Sequence, residues 1–159
     1  MRVEISTLLD CPPERAWQEV HTSRLLRYVT HPLQAFIPIE PSELPIVWEE
    51  GKYLVGMRSF GFIPLGRQWI NITMPTADTT SGKHRYQLRD NGSGQIASKW
   101  DHIITLRETE DGSTHYTDTV ELKLEFLRSL FGYMRIFSIV TVKRAGDDWF
   151  SKTFSTTFK

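Results

Sequence analysis

Alternating apolar and polar residues run through most of this chain and predict β-strands. Residues 2–9 alternate in this way, which suits a strand with one buried face. Turn signals at 91–94 (Asn-Gly-Ser-Gly) and 110–112 (Glu-Asp-Gly) separate later runs, so consecutive strands should form antiparallel hairpins. The further strands are predicted over residues 52–60, 67–74, 83–90, 95–107 and 113–124, with additional turns at 62–66 and 78–82.

Two short helices are predicted directly after the first strand. The segment 10–14, Asp-Cys-Pro-Pro-Glu, places its prolines in the first helical turn, where a missing N–H costs nothing. Asp10 or Cys11 is the expected N-cap of this helix. The second helix should begin after Thr22 or Ser23 as its cap and end near Tyr28.

The stretch from Thr30 to Pro45 contains four prolines and little periodicity, which predicts a long irregular connection. Long loops of this kind in a small domain are candidates for a lid or a pocket rim. The alternative that stays open is an ordered loop that packs on the sheet and gates nothing.

The hydrophobic period changes after residue 124 and predicts one long C-terminal helix. A sheet with one apolar face needs a cover, and this helix is the only predicted element long enough to supply it. Nothing in the chain resembles a linker or a repeat, so residues 1–159 should form a single α+β domain, a long antiparallel sheet wrapped around the C-terminal helix. The positions that recur at helical spacing are Leu127, Leu130, Phe131, Met134, Phe137, Thr141 and Ala145.

Composition and charge narrow the class of protein. The chain carries 19 basic and 19 acidic residues, so its overall charge gives no reason to expect nucleic acid or an acidic membrane surface as a partner. Cys11 is the only cysteine, which excludes an intramolecular disulfide and favours a reduced compartment. With no signal-peptide pattern and no apolar run long enough to span a bilayer, we expect a cytoplasmic protein without a membrane span.

Four segments of the chain carry a family resemblance. They are 10–17 (Asp-Cys-Pro-Pro-Glu-Arg-Ala-Trp), 60–66 (Phe-Gly-Phe-Ile-Pro-Leu-Gly), 99–102 (Lys-Trp-Asp-His) and 114–121 (Thr-His-Tyr-Thr-Asp-Thr-Val-Glu). With the order of elements, they resemble the START-like superfamily, also called the SRPBCC group, of lipid-transfer, pollen-allergen and polyketide-cyclase-like proteins. The likeness covers roughly residues 1–125 and is greatest to small bacterial members of unassigned function.

This resemblance implies the helix-grip fold, in which a curved antiparallel sheet of about six to seven strands surrounds a long C-terminal helix. It also implies a cavity between the sheet and that helix, whereas periodicity by itself shows only an apolar face. The exact shape of the cavity roof stays open because residues 139–142 (Ile-Val-Thr-Val) and Gly146 depart from the usual ending of that helix.

Period two also assigns polar residues to the inner face of the predicted sheet. With the turn at 110–112, His102 should lie opposite Val120 and Ile104 opposite Asp118, so that His102 and Asp118 become diagonal neighbours. Positions 96, 98 and 100 should share the face of His102. Arg58 is a further candidate, although its strand alternates ambiguously and its direction is open. The candidate ligand-binding residues are therefore Trp100, His102, Tyr116, Asp118, Gln68, Tyr86 and Arg58.

These groups have two interpretations. As a functional site, Asp118 would orient His102 as a general base and the tyrosines would donate to a ligand carbonyl at the polar end of an apolar pocket. As a structural feature, Tyr116 and Asp118 would hydrogen-bond each other, His102 or backbone groups and only satisfy buried polarity. The remaining histidines lack the spacing of metal ligands, so neither a metal site nor another cofactor is predicted.

Three functions remain after the sequence has been considered. The first is a carrier or sensor for a small apolar or aromatic molecule. The second is an enzyme of the polyketide cyclase or aromatase type that uses His102 with Asp118 or Tyr116. The third is a non-catalytic interaction protein with a filled cavity, forming a homodimer through a sheet edge or the closing helix, and for this the outward Trp69 is a candidate surface residue.

Overall fold

Seven antiparallel strands and two helices make up the part of the chain that the computed structural model describes, which is residues 2–75, 85–95 and 97–124. The predicted closing helix and the predicted turn at 78–82 lie outside these residues. The strands are β1 Arg2–Leu9, β2 Gln34–Glu40, β3 Gly51–Ser59, β4 Ile63–Thr73, β5 Arg85–Asp90, β6 Ala97–Glu108 and β7 Thr114–Leu124, and the helices are α1 Pro13–Val20 and α2 Ser23–Thr30.

The strands form a single sheet in the order β1-β7-β6-β5-β4-β3-β2. Strands β2 to β7 follow one another as neighbours, while β1 pairs with β7, so β1 and β2 lie at opposite edges. The connection through α1 and α2 must therefore lead from one edge to the other, and it packs the two helices on one face, which we call the inner face. This α+β architecture agrees with the predicted class.

The core lies between the helices and the inner face of the sheet. Apolar side chains at every second position of the strands point inward, and Val55, Leu106 and Tyr116 are at most 1% exposed. Ala16 and Val20 of α1 pack against Leu106 and Tyr116 in one of two apolar clusters. This burial supplies the main stabilisation of the sheet, at about 25 cal/mol for each Å² of apolar surface removed from water.

Both helices begin close to the predicted residues, but their caps differ. Helix α1 begins after Pro12, which carries no side-chain cap, so the prediction of Asp10 or Cys11 as N-cap was wrong. The extended conformation that the double proline imposes is enough to start the helix. Helix α2 follows the prediction, because the backbone N–H of Leu25 donates to the Oγ1 of Thr22 at 3.2 Å.

The hairpin between β6 and β7 has the predicted register. The backbone N–H of Thr109 donates to the carbonyl of Ser113 at 2.9 Å, and Gly112 takes up the left-handed conformation with φ of 81°. In this register His102 lies opposite Val120. Turn chemistry alone therefore determined which side chains of the two strands become neighbours.

The stretch from Thr30 to Pro45 is not wholly irregular, since β2 lies within it and pairs with β3. The proline content concealed this strand. Pro38 lies in an edge strand, beside a register shift between Pro38 and Glu40, where the missing N–H is tolerated. Because β2 is a strand of the sheet, most of the stretch that was a candidate lid is not a loop.

Two strand beginnings also differ from the expectation. Strand β4 starts at Ile63, so the turn comprises residues 60–62 and not 62–66. In β6 the register shifts between Ala97 and Lys99, which turns Ala97 inward and leaves Ser98 exposed. A bulge adds one residue to a strand and reverses the alternation beyond it, so the inward prediction for Ser98 was wrong, and Ile96 lies outside the described residues.

Residues 91–95 form a short extension that pairs with β4 and does not simply turn. The backbone N–H of Trp69 donates to the carbonyl of Ser93 at 3.0 Å, and that of Gln95 to the carbonyl of Arg67 at 3.0 Å. The approach is very close at Gly92, where a Cβ atom would lie 1.7 Å from the carbonyl oxygen of Trp69. Only glycine allows this contact between residues 91–95 and β4.

Among the described residues, no helix is long and apolar enough to cross a membrane.

Candidate functional site

A pocket lies between helix α2 and the inner face of the sheet. Its walls are largely apolar, with Leu25 and Val29 from α2 and Ile70 and Ile72 from β4. The pocket volume is about 100 Å³. Because one water molecule needs about 10–15 Å³, this volume has room for several groups of the size of a water molecule. The lining residues that carry a polar group on their side chain are Thr22, Trp48, Gln68, Asp90, Trp100, His102, Tyr116 and Asp118.

His102, Asp118 and Tyr116 form a hydrogen-bonded chain in this lining. The Nε2 atom of His102 lies 2.9 Å from Oδ1 of Asp118, and the hydroxyl of Tyr116 donates to Oδ2 of Asp118 at 3.2 Å. Asp118 is 3% exposed and the side chain of His102 21%. Because an ionised carboxylate only accepts, Nε2 must carry a proton here, and Nδ1 is then the ring nitrogen available to exchange one.

The carboxylate of Asp118 influences the pKa of both partners. Burial acts to lower the pKa of His102, but the charge and hydrogen bond of Asp118, with smaller contributions from Asp90 and Asp101, raise it above its ordinary value overall. The pKa of Tyr116 is raised well above its ordinary value by burial and by the neighbouring Asp118 charge. Tyr116 therefore stays a neutral hydrogen-bond donor at physiological pH.

Asp90 is a site residue that sequence reasoning missed. It lies directly opposite His102 in the β5–β6 ladder, so His102 has one carboxylate on each neighbouring strand. Its Oδ1 accepts from the backbone N–H groups of Asn71 at 2.8 Å and Gly92 at 3.1 Å. The alternation of Tyr86 and Leu88, continued by one step, would have placed it on the inner face.

The pKa of Asp90 is raised to about 6. Burial is the main cause, and it exceeds the effects of two backbone hydrogen bonds and of His102, which act in the opposite direction. The indole N–H of Trp100 also lowers the pKa of Asp90, although the two groups do not reach good hydrogen-bond geometry. Asp90 can therefore exchange a proton near neutral pH.

We expect Asp90→Asn to reveal this shift in the pH dependence of stability. An unfolded aspartate ionises near pH 3.9, so between about pH 4 and pH 6 the folded protein holds the extra proton. The free energy of unfolding of the wild type should therefore fall relative to that of the variant as pH rises through this range, by about 3 kcal/mol in total, and stay lower above it. Urea unfolding at a series of pH values measures the difference.

Asp111→Asn is the matched control for Asp90→Asn. Asp111 lies in the exposed β6–β7 turn, and the hydroxyl of Thr109 lowers its pKa. A lowered pKa stabilises the fold above the unfolded pKa, and that stability is lost as the pH falls, so the control should change in the opposite direction. The raised pKa of Asp90 would be contradicted if the free energies of unfolding of the wild type and of Asp90→Asn changed in parallel between about pH 4 and pH 7.

Two buried polar groups of the pocket have no hydrogen-bond partner among the described residues. They are the side-chain amide of Gln68, through both Oε1 and Nε2, and the indole Nε1 of Trp100. Gln68 is 6% exposed and lines the pocket, as does Trp100. Buried groups left in this way cost about 1–3 kcal/mol each, so their position beside a pocket points to a ligand that would satisfy them.

The structure brings five of the seven predicted site residues together and separates the other two. Tyr86 faces inward but lies under α1, where its ring stacks on Trp17 at 5.4 Å and its hydroxyl donates to Glu14 at 3.3 Å. Arg58 is exposed on the outer face, because its neighbours Met57 and Ser59 take the buried positions. The five that line the pocket are Trp100, His102, Tyr116, Asp118 and Gln68.

The thiol of Cys11 does not have the lowered pKa expected at a helix N-terminus. Cys11 is 8% exposed, and burial raises the pKa of its thiol. Its backbone carbonyl accepts from the Oγ1 of Thr114 at 2.7 Å, which joins the start of α1 to β7. Cys11 therefore has a structural role at the start of α1.

Within 2–75, 85–95 and 97–124, no group of three or more histidine, cysteine, aspartate or glutamate side chains could hold a metal ion. The arrangement instead offers proton exchange at His102, hydrogen bonds from Trp100, Gln68 and Tyr116, and apolar contact area.

Comparison with known proteins supports the fold alone. No family model matches the sequence, and no curated protein matches it significantly. Solved structures do match, among them CV1439 from Chromobacterium violaceum, with 14% identity, TM-score 0.55, and coverage of 91% of this chain and 94% of that one. TTHA0849 from Thermus thermophilus has 8% identity and TM-score 0.59, and 99% of each chain is covered.

The Zhui aromatase/cyclase from Streptomyces sp. R1128 is also similar in structure. It has 11% identity and a TM-score of 0.53, and the match covers 91% of this chain and 94% of that chain. The chain is thus an α+β protein that shares its overall fold with this aromatase/cyclase, with CV1439 and with TTHA0849.

Proposed function

We propose that this protein binds a small apolar or aromatic molecule in the pocket under α2, as a carrier or sensor. The observation that carries the proposal is the unsatisfied amide of Gln68 beside an otherwise apolar wall. A ligand with an apolar body and one polar group would restore the missing hydrogen bonds and remove apolar surface from water. The indole N–H of Trp100 would be a second donor to the same group.

The charges of the site narrow the ligand further. In the described lining, His102 is flanked by Asp118 and Asp90, so two acidic groups stand against one imidazole. The two acidic side chains disfavour a carboxylate ligand beside them. The polar group of the ligand is therefore a neutral one, such as a hydroxyl, carbonyl or amide.

We further propose that the chain is a helix-grip protein of the START-like, or SRPBCC, superfamily. The sheet order, the two helices between β1 and β2, and the structural similarity to an aromatase/cyclase support this assignment. It requires that residues 125–159 supply the long helix predicted from their period. A structure determined with a bound ligand would test that requirement directly.

Native mass spectrometry of the purified full chain tests ligand binding. Species retained at low collision energy and lost at higher energy would identify a co-purified molecule and its class. To complete the test, unliganded protein is titrated with a panel of neutral aromatic and aliphatic alcohols, ketones and amides while tryptophan fluorescence is followed. Failure of both experiments would contradict the proposal.

Gln68→Leu should separate binding from stability. Leucine fills a similar volume without a buried amide, so we expect the free energy of unfolding to rise by about 1 kcal/mol while ligand affinity falls by about tenfold. Gln87→Leu is the control, since Gln87 lies in the strand β5 between the inward Tyr86 and Leu88 and faces the other side. A Gln68→Leu variant that loses stability and keeps its affinity would assign the amide a structural role.

A cyclase-type enzyme is the second candidate, favoured by the position of the His102–Asp118 pair in the pocket lining. In that case Nδ1 of His102 would accept a proton from the bound molecule while Asp118 stabilises the imidazolium. Incubation of the identified ligand with wild type and with His102→Gln distinguishes the candidates. A chemically changed ligand that appears only with the wild type supports the enzyme, and an unchanged ligand with both supports the carrier.

A further inference from the structure

The turn between β3 and β4 exposes apolar side chains that the pocket does not use. Phe60 is 51% exposed, Phe62 72% and Ile63 45%, and none of them lines the pocket. We call these three residues the aromatic tip. Large apolar side chains that are grouped at one protruding turn expose more apolar surface than single scattered residues do, and such groups commonly mark an interaction site.

The backbone conformation at position 60 is unfavourable for a phenylalanine. Phe60 has φ of 50°, and it is the one non-glycine residue with positive φ in the part of the chain described by the structure. Gly61 follows with φ of 80°. Glycine would be the stable choice at position 60, because a side chain in this conformation approaches the backbone too closely. A phenylalanine that is half exposed in this conformation keeps apolar surface accessible at the turn.

Charge around the tip has one sign, although the whole chain is neutral. Residues 51–73, which include both strands of the hairpin, contain no aspartate or glutamate. Of their basic residues, Arg58 and Arg67 lie in the half of the hairpin next to the tip, whereas Lys52 lies at the far end, opposite Asn71. In the neighbouring strand β2 the one acidic residue is Glu40, which pairs with Leu54 and so lies away from the tip. Arg58 lies directly opposite Pro64, at the base of the tip, and both Arg58 and Arg67 are exposed.

We propose that the aromatic tip docks on an anionic lipid surface. Phenylalanine and isoleucine side chains insert among acyl chains, and basic side chains behind them attract acidic headgroups. Both features occur together here, with the rings at the end of the hairpin and Arg58 at its base. A partner of this chemistry matches the tip better than nucleic acid does, because apolar isoleucine has no role in base stacking. Docking through the tip is independent of which ligand the pocket binds.

Flotation of the full chain with vesicles tests the proposal. We expect the wild type to float with vesicles of phosphatidylcholine that contain about 30% phosphatidylglycerol, to float weakly with phosphatidylcholine alone, and to be released by salt. Phe62→Ser should reduce partitioning by at least about tenfold, which corresponds to the loss of one inserted aromatic side chain. Leu8→Ser is the matched control, since Leu8 is 68% exposed and lies in the edge strand β1, away from β3 and β4 in the sheet.

Phe60→Gly separates docking from folding. It removes a ring from the tip and relieves the left-handed strain, so we expect weaker vesicle binding and a midpoint of thermal unfolding that is unchanged or higher. A lower midpoint with full vesicle binding would overturn the proposal.

Three other results would also overturn the docking proposal. They are a wild type that does not bind anionic vesicles, a Leu8→Ser variant that loses as much binding as Phe62→Ser, and a homodimer that Phe62→Ser disperses in the absence of any vesicle binding. The last result would assign the tip to a second copy of this chain.

Discussion

Asp118→Ala should destabilise the protein by about 3–5 kcal/mol, because it removes the carboxylate that two buried groups share. Asp118 is 3% exposed and accepts from both His102 and Tyr116. In the variant, the Tyr116 hydroxyl would lose its carboxylate acceptor, and the imidazole of His102 would keep only the smaller charge interactions with Asp90 and Asp101. Urea unfolding at constant pH measures the loss.

The penalty of Asp118→Ala should depend on pH in a defined direction. The raised pKa of His102 means that its stabilising charge is fully present below the unfolded pKa of about 6.5 and is lost as pH rises through the folded pKa. The destabilisation should therefore be larger at about pH 5.5 than at about pH 8.5. An NMR titration of the imidazole should show a lower His102 pKa in Asp118→Asn than in the wild type.

Asp101→Ala is the matched control for Asp118→Ala. Asp101 is the residue next to His102, faces the opposite side of β6, and pairs with Arg89 through two contacts of 2.8 Å. Its side chain is 15% exposed and that of Arg89 41%, so its loss should cost about 1 kcal/mol or less. Equal losses from Asp118→Ala and Asp101→Ala would contradict the special position of Asp118.

Gly92→Ala should be the second large effect, at about 3 kcal/mol of lost stability. The new Cβ would lie 1.7 Å from the carbonyl oxygen of Trp69, which is backbone and cannot rotate away. Residues 91–95 would have to separate from β4, and the hydrogen bond from Gly92 N–H to Asp90 would be strained as well. Loss of the ligand site together with stability is therefore expected.

The effect of Gly92→Ala is measured against Gly112→Ala in urea unfolding. Gly112 has φ of 81° and nothing within 4 Å of an added Cβ, so alanine there meets only the backbone preference, which costs about 1–2 kcal/mol. A Gly92→Ala variant as stable as the wild type would mean that the contact between residues 91–95 and β4 is much looser than described.

The β6–β7 hairpin shows which contacts the local sequence is able to predict. Its register follows from the turn at 110–112 and from strict alternation, and these were sufficient to predict that His102 and Asp118 are diagonal neighbours. Both signals act over a few residues, so no distant contact could change them. The same reasoning failed for Ser98, because the bulge beside it depends on how β6 meets the end of β7.

Burial explains the residues that the sequence did not reveal. The pKa of Asp90 is raised because folding buries its carboxyl group, and this effect exceeds the lowering by His102 on the neighbouring strand. The residues next to Asp90 in the sequence do not reveal this burial. In the same way, whole-chain neutrality concealed the basic hairpin around the aromatic tip, since a sum of charges carries no position. Strand β2 was hidden by prolines that an edge strand tolerates.

The sequence by itself determined the α+β class, the two helices after the first strand, and the inner-face pairing of His102, Asp118 and Tyr116. These depend on period, capping and turn chemistry, which are properties of neighbouring residues. Only the tertiary structure decided that β1 pairs with β7, that Gln68 and Trp100 are buried without partners among the described residues, and that Arg58 points away from the pocket. The physical reason is that burial and unsatisfied polarity arise from segments far apart in the chain, and these meet only when the sheet is complete.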